Sequence, residues 1–307
     1  MTNRRRSKRL PTAALAALGA TLVLVGCATA PEGDSTEAPT SAPEAFQHIH
    51  SLMADPQQGD LLVGTHAGLY ELTFETGGTA TAEGPIGGLD FDPMGFTMRD
   101  GVAYASGHPG PTTPGTFGSP NLGLIRSTDQ GETWSNISLT GQTDFHDLAV
   151  GPQATDGGEG TIYGLDTSKQ ALQLSFDGGT TWSDGAELVA RDLTADPATP
   201  GTVYATTEDG FAVSTDDGES FTVDPDAPPL FLVSIDPGTG AFAGVDTSGT
   251  VWTRDASGTW VSGGAVTGTP QALTISGDRI FVADDRGIAF TDDVGETWTI
   301  LDVTENR

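Results

Sequence analysis

The sequence predicts an all-β protein built from six similar units, and three observations support this. Glycine is abundant, with 42 residues in a chain of 307, and aromatic residues make up only 7% of the chain. Gly suits turns and destabilises helices, so this composition favours short strands joined by many turns. A motif centred on Asp recurs at a spacing of about 40 residues, and alternating apolar stretches precede its copies.

The recurring motif reads Ser/Thr-x-Asp-x-Gly-x-Thr/Ser-Trp/Phe. Its five copies begin at Ser127, Ser175, Ser214, Thr253 and Thr291. In a tight turn, Asp accepts hydrogen bonds from backbone N–H groups, Gly supplies a positive φ, and Ser or Thr bonds locally. The motif therefore predicts structural turns, which we call the Asp turns, at Asp129, Asp177, Asp216, Asp255 and Asp293.

Trp occupies the last position in four of the five copies, at Trp134, Trp182, Trp260 and Trp298. We expect these large side chains to pack between neighbouring units. A second column, one residue per unit, lies within the apolar stretches: Leu52, Phe96, Leu148, Leu193, Val233 and Leu273. Four strands in each of six units predict a six-bladed β-propeller over residues 45–303, with each Asp turn between the third and fourth strands.

The N-terminal segment predicts export and lipid anchoring. Five basic residues lie within the first nine positions, and an apolar stretch from Ala13 to Val25 ends just before Cys27. This arrangement resembles the bacterial lipobox, which implies that residues 1–26 are a signal peptide and that Cys27 is lipidated. Residues 27–44 are rich in Pro, Ser and Thr and predict a flexible tether. The expected location is the outer face of the bacterial cell membrane, contacted through the anchor only.

The charge balance excludes nucleic acid as a partner. Five of the 13 Lys and Arg residues lie in the predicted signal peptide, which leaves eight against 42 Asp and Glu. So acidic a body has no basic face for a phosphate backbone. The single Cys also excludes a disulfide framework and a Cys-based zinc site. We expect a monomer.

The motif resembles the Asp-box (BNR) repeat of sialidases. The chain is similar to bacterial propeller lipoproteins of the glycosyl hydrolase or exo-alpha-sialidase-like type in stretches such as His48-Ile-His50-Ser, Ser106-Gly-His108-Pro and Asp144-Phe-His146. This resemblance implies a sialidase-like propeller, anchoring and a His-bearing face. Sialidases need three Arg residues that together bind the substrate carboxylate, and an N-terminal Phe/Tyr-Arg-Ile-Pro motif. Here the motif is absent, and only Arg191 is expected on the channel rim, so the Arg triad is not found. A hydrolase activity taken from the fold alone is an analogy.

The predicted topology brings all five His residues to the face opposite the Asp turns. His50 and His146 share one position at the start of the innermost strand, which Arg191, Phe231 and Gln271 fill in later units. The candidate ligand-binding residues are His48, His50, His66, His108, His146 and Arg191. Imidazoles with nearby carboxylates suit Zn²⁺ or Cu²⁺, and the candidate metal ligands are His50, His66, His108 and His146. The same side chains equally suit hydrogen bonds to a sugar or acid–base catalysis.

The leading functional prediction is therefore a binding module for a small ligand, a glycan or a transition metal. The alternative is a glycoside hydrolase, which needs two carboxyl groups at a defined separation on the same face. The candidate carboxylates for that role are Asp90, Asp92, Asp144, Asp147 and Glu208. A third class, a protein-interaction platform on the acidic surface, requires neither site.

Overall fold

The computed structural model describes residues 44–55, 59–153, 159–166, 168–255 and 257–306. The predicted signal peptide, Cys27 and the predicted tether up to residue 43 lie outside these residues, so export and anchoring stay predictions. Within the described ranges, no helix is long and apolar enough to cross a membrane. Regular structure there consists of β-strands and three short 3-10 helices, Glu44–Phe46, Ile86–Gly88 and Gly115–Phe117.

The strands form six antiparallel blades, as the sequence predicts, and the fold is an all-β six-bladed propeller. Blade 1 holds β1–β4, which are Ile49–Ala54, Leu61–Thr65, Gly68–Phe74 and Thr79–Glu83. Blade 2 holds β5–β8, which are Asp92–Arg99, Val102–His108, Leu124–Ser127 and Ser135–Ser138. Blade 3 holds β9–β12, which are Asp147–Val150, Ile162–Asp166, Ala171–Ser175 and Ser183–Glu187.

The second half of the ring repeats this arrangement. Blade 4 holds β13–β16, which are Ala190–Ala195, Val203–Thr207, Gly210–Ser214 and Thr222–Val223. Blade 5 holds β17–β20, which are Leu230–Ile235, Phe242–Asp246, Thr250–Arg254 and Trp260–Ala265. Blade 6 holds β21–β24, which are Ala272–Ser276, Arg279–Asp284, Gly287–Thr291 and Thr299–Ile300.

The ring closes between blades 6 and 1. The innermost strand of each blade contacts those of both neighbouring blades, and β1 contacts both β5 and β21. One further strand, β25 (Asp302–Glu305), pairs in parallel with β4 and makes blade 1 five-stranded. It begins with a hydrogen bond from Asp302 N to Gly78 O at 2.7 Å. The sequence predicts that the propeller ends at residue 303, whereas β25 continues to Glu305.

Packing follows the predicted columns. All six residues of the apolar column are buried: Leu52, Phe96, Leu148, Leu193, Val233 and Leu273. The Trp residues contact the blade before their own. Trp182 Nε1 donates to Ser138 Oγ in blade 2 at 2.9 Å, and Trp298 Nε1 donates to Ala265 O in blade 5 at 2.9 Å. Trp134 packs in one cluster with Leu62 and Leu69 of blade 1.

Four of the five Asp turns share one hydrogen-bond pattern, shown by the turn between β7 and β8. Asp129 Oδ1 accepts from Thr133 N at 2.9 Å, and Asp129 Oδ2 accepts from the Thr133 hydroxyl at 2.6 Å. Gly131, at φ +93°, donates its N–H to Ser127 Oγ at 2.9 Å. The turns of Asp177, Asp216 and Asp293 repeat these bonds. These carboxylates are held in turns, which supports a structural role.

Candidate functional site

A β-bulge near the start of each innermost strand positions the side chains at one mouth of the central channel. In four blades the pairing register shifts by one residue, at His50, Met94, Arg191 and Phe231. In blade 3, His146 N donates to Leu165 O, and Leu165 also pairs with Asp147. In blade 6, Gln271 N donates to Ala283 O, and Ala283 also pairs with Ala272. A bulge turns a side chain away from the regular alternation of a strand, so these six positions form the rim of the mouth.

The rim opens into a cavity of about 390 Å³ along the centre of the ring. His50, Met94, His146, Arg191 and Gln271 line its rim end. The volume lies in the range of small-molecule pockets. The sequence columns identify every rim position except Met94, which carries no polar group that would draw attention to it.

Two of the predicted metal ligands meet one predicted catalytic carboxylate between blades 1 and 2. We call this group, His50, His66 and Asp92, the blade 1–2 cluster. His50 Nε2 lies 3.2 Å from His66 Nδ1 and 3.2 Å from Asp92 Oδ1. His66 Nδ1 lies 2.7 Å from Asp92 Oδ2. One donor atom from each of the three side chains lies within 4.8 Å of the others, and they form a possible metal-binding set within the described residues.

Local backbone features hold this cluster in place. His66 lies in the tight β2–β3 turn, which is closed by a hydrogen bond from Thr65 Oγ1 to Gly68 O at 3.0 Å. His50 is presented by the bulge in β1, beside the close approach of Gly64 to Ser51, where a Cβ on Gly64 would lie 2.3 Å from Ser51 Oγ. Burial lowers the pKa of His50 despite the opposing charge of Asp92, which favours the neutral imidazole that a metal ion requires.

A second group lies between blades 2 and 3, and we call His108, Asp144 and His146 the blade 2–3 cluster. Asp144 Oδ2 lies 3.2 Å from His108 Nε2 and 2.8 Å from His146 Nε2. His108 Nδ1 lies 3.3 Å from Pro120 O. Both ring nitrogens of His108 therefore lie beside oxygen atoms, one from Asp144 and one from the backbone of Pro120. The hydrogen bond with Asp144 raises the pKa of His146.

The two clusters adjoin through blade 2, because Asp92 and His108 are paired across β5 and β6. The four predicted metal ligands thus separate into two pairs, His50 with His66 and His108 with His146. Asp92 completes the first pair as a potential ligand, a role the sequence analysis did not give it. His48 lies at the edge, with its ring 5.3 Å from the ring of His66.

The remaining candidate carboxylates have structural partners or stand apart. Asp90 accepts hydrogen bonds from Thr112 N at 2.8 Å and Thr113 Oγ1 at 2.9 Å. These bonds fix the long loop of blade 2, which connects β6 to β7. Glu208 is exposed in the β14–β15 turn of blade 4 and contacts neither cluster.

Asp147 is one of the predicted candidate carboxylates, and it pairs with a second carboxyl, Asp192, which the sequence did not indicate. It accepts hydrogen bonds from Leu148 N at 2.8 Å and Leu193 N at 2.5 Å, while Asp192 accepts one from Val233 N at 2.7 Å. Burial, together with the charge of Asp192, raises the pKa of Asp147 well above its usual range, and burial also raises the pKa of Asp192. Both residues directly follow a rim position, and that shared column is the signal that would have found Asp192.

Arg191 lies on the rim in blade 4 and lines the same cavity as His50 and His146. Its guanidinium carbon lies 5.2 Å from the centre of the Phe231 ring, and Nη2 donates to Gln271 O at 3.1 Å. Gln271 Oε1 in turn accepts from Ile49 N at 3.0 Å, next to His50. These bonds connect Arg191 to the start of β1 across the mouth.

Comparisons with known proteins identify propeller enzymes. No family model matches the sequence. A xyloglucanase from Hypocrea jecorina (strain QM6a) is 34% identical over 89 residues, which are 29% of this chain and 10% of the xyloglucanase. The structure of the Niastella koreensis GH74 enzyme is similar with a TM-score of 0.56 and 18% identity, covering 82% of this chain and 45% of that chain. An ancestral GH74 enzyme gives a TM-score of 0.47 at 13% identity, covering 80% of this chain and 36% of that one.

These similarities extend to the fold and no further. This chain spans less than half of the Niastella enzyme and a tenth of the xyloglucanase. The comparisons name GH74 enzymes and a xyloglucanase, whereas the sequence motif resembles sialidase repeats, so the sialidase-like and lipoprotein assignments stay predictions. The chain folds as a propeller like those of glycosyl hydrolase-like enzymes.

Proposed function

We propose that this protein binds a divalent transition metal ion, Zn²⁺ or Cu²⁺, at the blade 1–2 cluster. The observation that supports this most is the convergence of His50, His66 and Asp92, whose donor atoms lie within 4.8 Å of one another. Two imidazoles with one carboxylate are a donor set that zinc and copper favour.

The spacing of the donor atoms agrees with such a site. Two nitrogens bound to zinc at 2.0–2.1 Å in a tetrahedral arrangement lie about 3.4 Å apart. His50 Nε2 and His66 Nδ1 are 3.2 Å apart, close to that value. His66 and Asp92 would separate slightly to admit the ion, and the side chain of His66, which is 54% exposed, has room to move. The buried Asp92 Oδ1 accepts no hydrogen bond among the described residues, and its close polar neighbour is His50 Nε2 at 3.2 Å, itself a proposed ligand.

Three protein ligands would leave one coordination position open. Structural zinc sites have four protein ligands, whereas sites that bind substrate keep a position for water or another molecule. Because His50 lines the central cavity, the open position would be reached from the channel mouth. The proposed function is therefore to capture a ligand through a protein-bound metal ion.

Titration calorimetry with Zn²⁺ and Cu²⁺ tests the proposal. We expect wild-type protein to bind one ion, and His50→Ala and Asp92→Asn to weaken the affinity at least about 100-fold, since each removes a direct ligand. His48→Ala removes a neighbouring imidazole that lies outside the donor set, so its affinity should remain within about threefold of wild type. Equal affinities for wild type and Asp92→Asn would exclude this site.

A glycoside hydrolase is the second candidate, because the similar proteins include GH74 enzymes and a xyloglucanase. Such a mechanism needs two carboxyl groups about 5–9.5 Å apart. Asp147 and Asp192 each accept a backbone N–H of the next blade, from Leu193 and Val233 respectively, which supports a structural role for both. Asp92 and Asp144, in adjacent blades, remain as a pair. Sugar release from xyloglucan by wild type, lost in Asp144→Asn but kept in His50→Ala, would favour this candidate over metal binding.

A further inference from the structure

Arg191 is a rim cation in a strongly acidic protein, and its charge acts on the neighbouring carboxyl of Asp192. Two other arginines pair directly with carboxylates: Arg279 with Asp292 at 2.7 Å, and Arg286 with Asp284 at 2.5 Å. Within the described ranges, no carboxylate oxygen lies within 4.0 Å of the Arg191 guanidinium. Stacking on Phe231 and one hydrogen bond to Gln271 O hold the group, and its remaining N–H donors are available. A guanidinium held this way suits a carboxylate, which it binds through two parallel hydrogen bonds.

The surroundings of Arg191 place it near the blade 1–2 cluster. Arg191 and His50 line the same cavity, and the hydrogen bonds through Gln271 connect them across the mouth. His146 lines the same cavity as His50 and Arg191. One small molecule at the mouth would therefore meet both groups.

The charge at the mouth favours an anion once a metal ion is bound. A divalent ion held by two imidazole ligands and one carboxylate ligand carries a net charge of about +1, and Arg191 adds another. The raised pKa values of Asp147 and Asp192 reduce the negative charge beneath Arg191. Most of the protein surface repels anions, because the chain has a formal net charge of −29. An anion would thus be attracted to this mouth and excluded elsewhere.

We propose that the ligand is a small organic acid that binds the metal ion through one oxygen group and Arg191 through a carboxylate. This inference rests on the proposed metal site and names the chemical class of its ligand. A cavity of about 390 Å³ accommodates a small molecule in its entirety. Succinate has a carboxylate at each end, so it can reach both groups at once, whereas acetate reaches only one.

The test titrates succinate into Zn²⁺-saturated protein after the Zn²⁺ affinity of every variant has been measured without acid. Arg191→Gln removes the proposed carboxylate partner. Arg254→Gln is the matched control, because Arg254 also stacks on an aromatic ring, Trp260 at 5.5 Å, and also bonds a carbonyl, Gly258 O at 3.0 Å, but lies at an Asp turn. Zinc analysis of the protein after each titration verifies that succinate has not removed the ion.

We expect Arg191→Gln to weaken succinate binding at least about tenfold, Arg254→Gln to match wild type, and Arg191→Lys to lie between them, because Lys keeps the charge and loses the fork. Acetate should bind wild type more weakly than succinate does. Equal succinate affinity in wild type and Arg191→Gln would overturn the inference while leaving the metal site intact. A wild-type protein that binds no Zn²⁺ in the first titration would instead overturn the proposed function.

Discussion

Gly107 lies near the end of β6, one residue before His108, and its backbone passes very close to Asp92. At φ +143° it occupies a region that glycine adopts far more readily than other residues. A Cβ at this position would lie 2.0 Å from Asp92 O and 2.8 Å from Met94 N. This approach fixes the start of the β5–β6 pairing, and with it one residue of each cluster, Asp92 and His108.

Gly107→Ala should therefore disturb both stability and metal binding. A positive φ alone costs about 1–2 kcal/mol for a residue with a side chain, and the contact with the β5 backbone adds to it, for an expected loss above about 3 kcal/mol. Gly101→Ala is the control, since Gly101 has φ +80° with no atom within 4 Å of its hypothetical Cβ. Chemical denaturation with Zn²⁺ calorimetry of the folded protein measures both effects. A Gly107→Ala protein as stable as Gly101→Ala would contradict the steric argument.

The sequence identified most of the side chains of the two clusters, but it did not show which of these side chains contact one another. Histidine is rare enough here that its five positions stood out, and four of them lie in the two clusters. The role of Asp92 depended on the angle between blades 1 and 2, which no local pattern encodes. Among 42 acidic residues, nothing in the sequence distinguished Asp92 as a companion of His50 and His66.

The Asp turns make the stability of the propeller depend on pH. Hydrogen bonds from Thr133 hold the pKa of Asp129 below its ordinary value, and equivalent bonds from Thr181 do the same for Asp177. The pKa values of Asp216, Asp255 and Asp293 are also lowered. A carboxyl group with a depressed pKa in the folded state contributes stability that is present above its unfolded pKa and is lost as pH falls through the folded value.

We expect the melting temperature of wild type to fall as pH drops below about 4, the ordinary pKa of Asp. Asp177→Asn should be less stable than wild type at pH 7, because the amide replaces a doubly accepting carboxylate. The difference between the two proteins should shrink toward pH 2, where wild type loses the charged acceptor as well. Thermal melts at pH 7, 4 and 2 measure this. A difference that stays constant with pH would show that ionisation of the turn contributes nothing.

The elements themselves were largely predictable because the repeat supplies several observations of each strand and turn. The Asp turns appear between the third and fourth strands, where the motif spacing placed them. The bulges were not predictable as backbone features, since a bulge differs from a regular strand start by one unpaired residue. Their positions were nevertheless visible as a column, because His50, His146, Arg191, Phe231 and Gln271 lie at matching places in their units.

At the scale of the whole molecule, β25 joins the last described residues to blade 1, the first blade of the ring. Besides the parallel pairing with β4, Thr304 Oγ1 donates to Ala80 O at 3.1 Å, and Asn306 Nδ2 donates to Glu83 Oε1 at 2.8 Å. These bonds connect residues more than 220 positions apart in the chain. The sequence repeat does not predict this strand, because Asp302–Glu305 has no counterpart in the other five blades.

Ending the chain after Leu301 should lower the melting temperature by at least about 5 °C, because the outer edge of blade 1 loses its partner strand. Thr304→Ala, which keeps the strand and removes one side-chain bond, should change it by less than about 2 °C. Thermal unfolding followed by circular dichroism compares the two variants with wild type. If the shortened chain has the same melting temperature as wild type, β25 adds nothing to the stability of the closed ring.

The six bulges at the channel mouth separate the rim residues, which can bind a ligand, from the buried residues that hold the blades together. The residues that must pack, such as Leu52 and Leu148, alternate along the same strands with residues that the bulges release from packing. Exchanging His50 or Arg191 for another side chain therefore alters the ligand without disturbing the buried column beneath it. Because six such positions surround one opening, related propellers could acquire new ligands by exchanging one rim residue at a time.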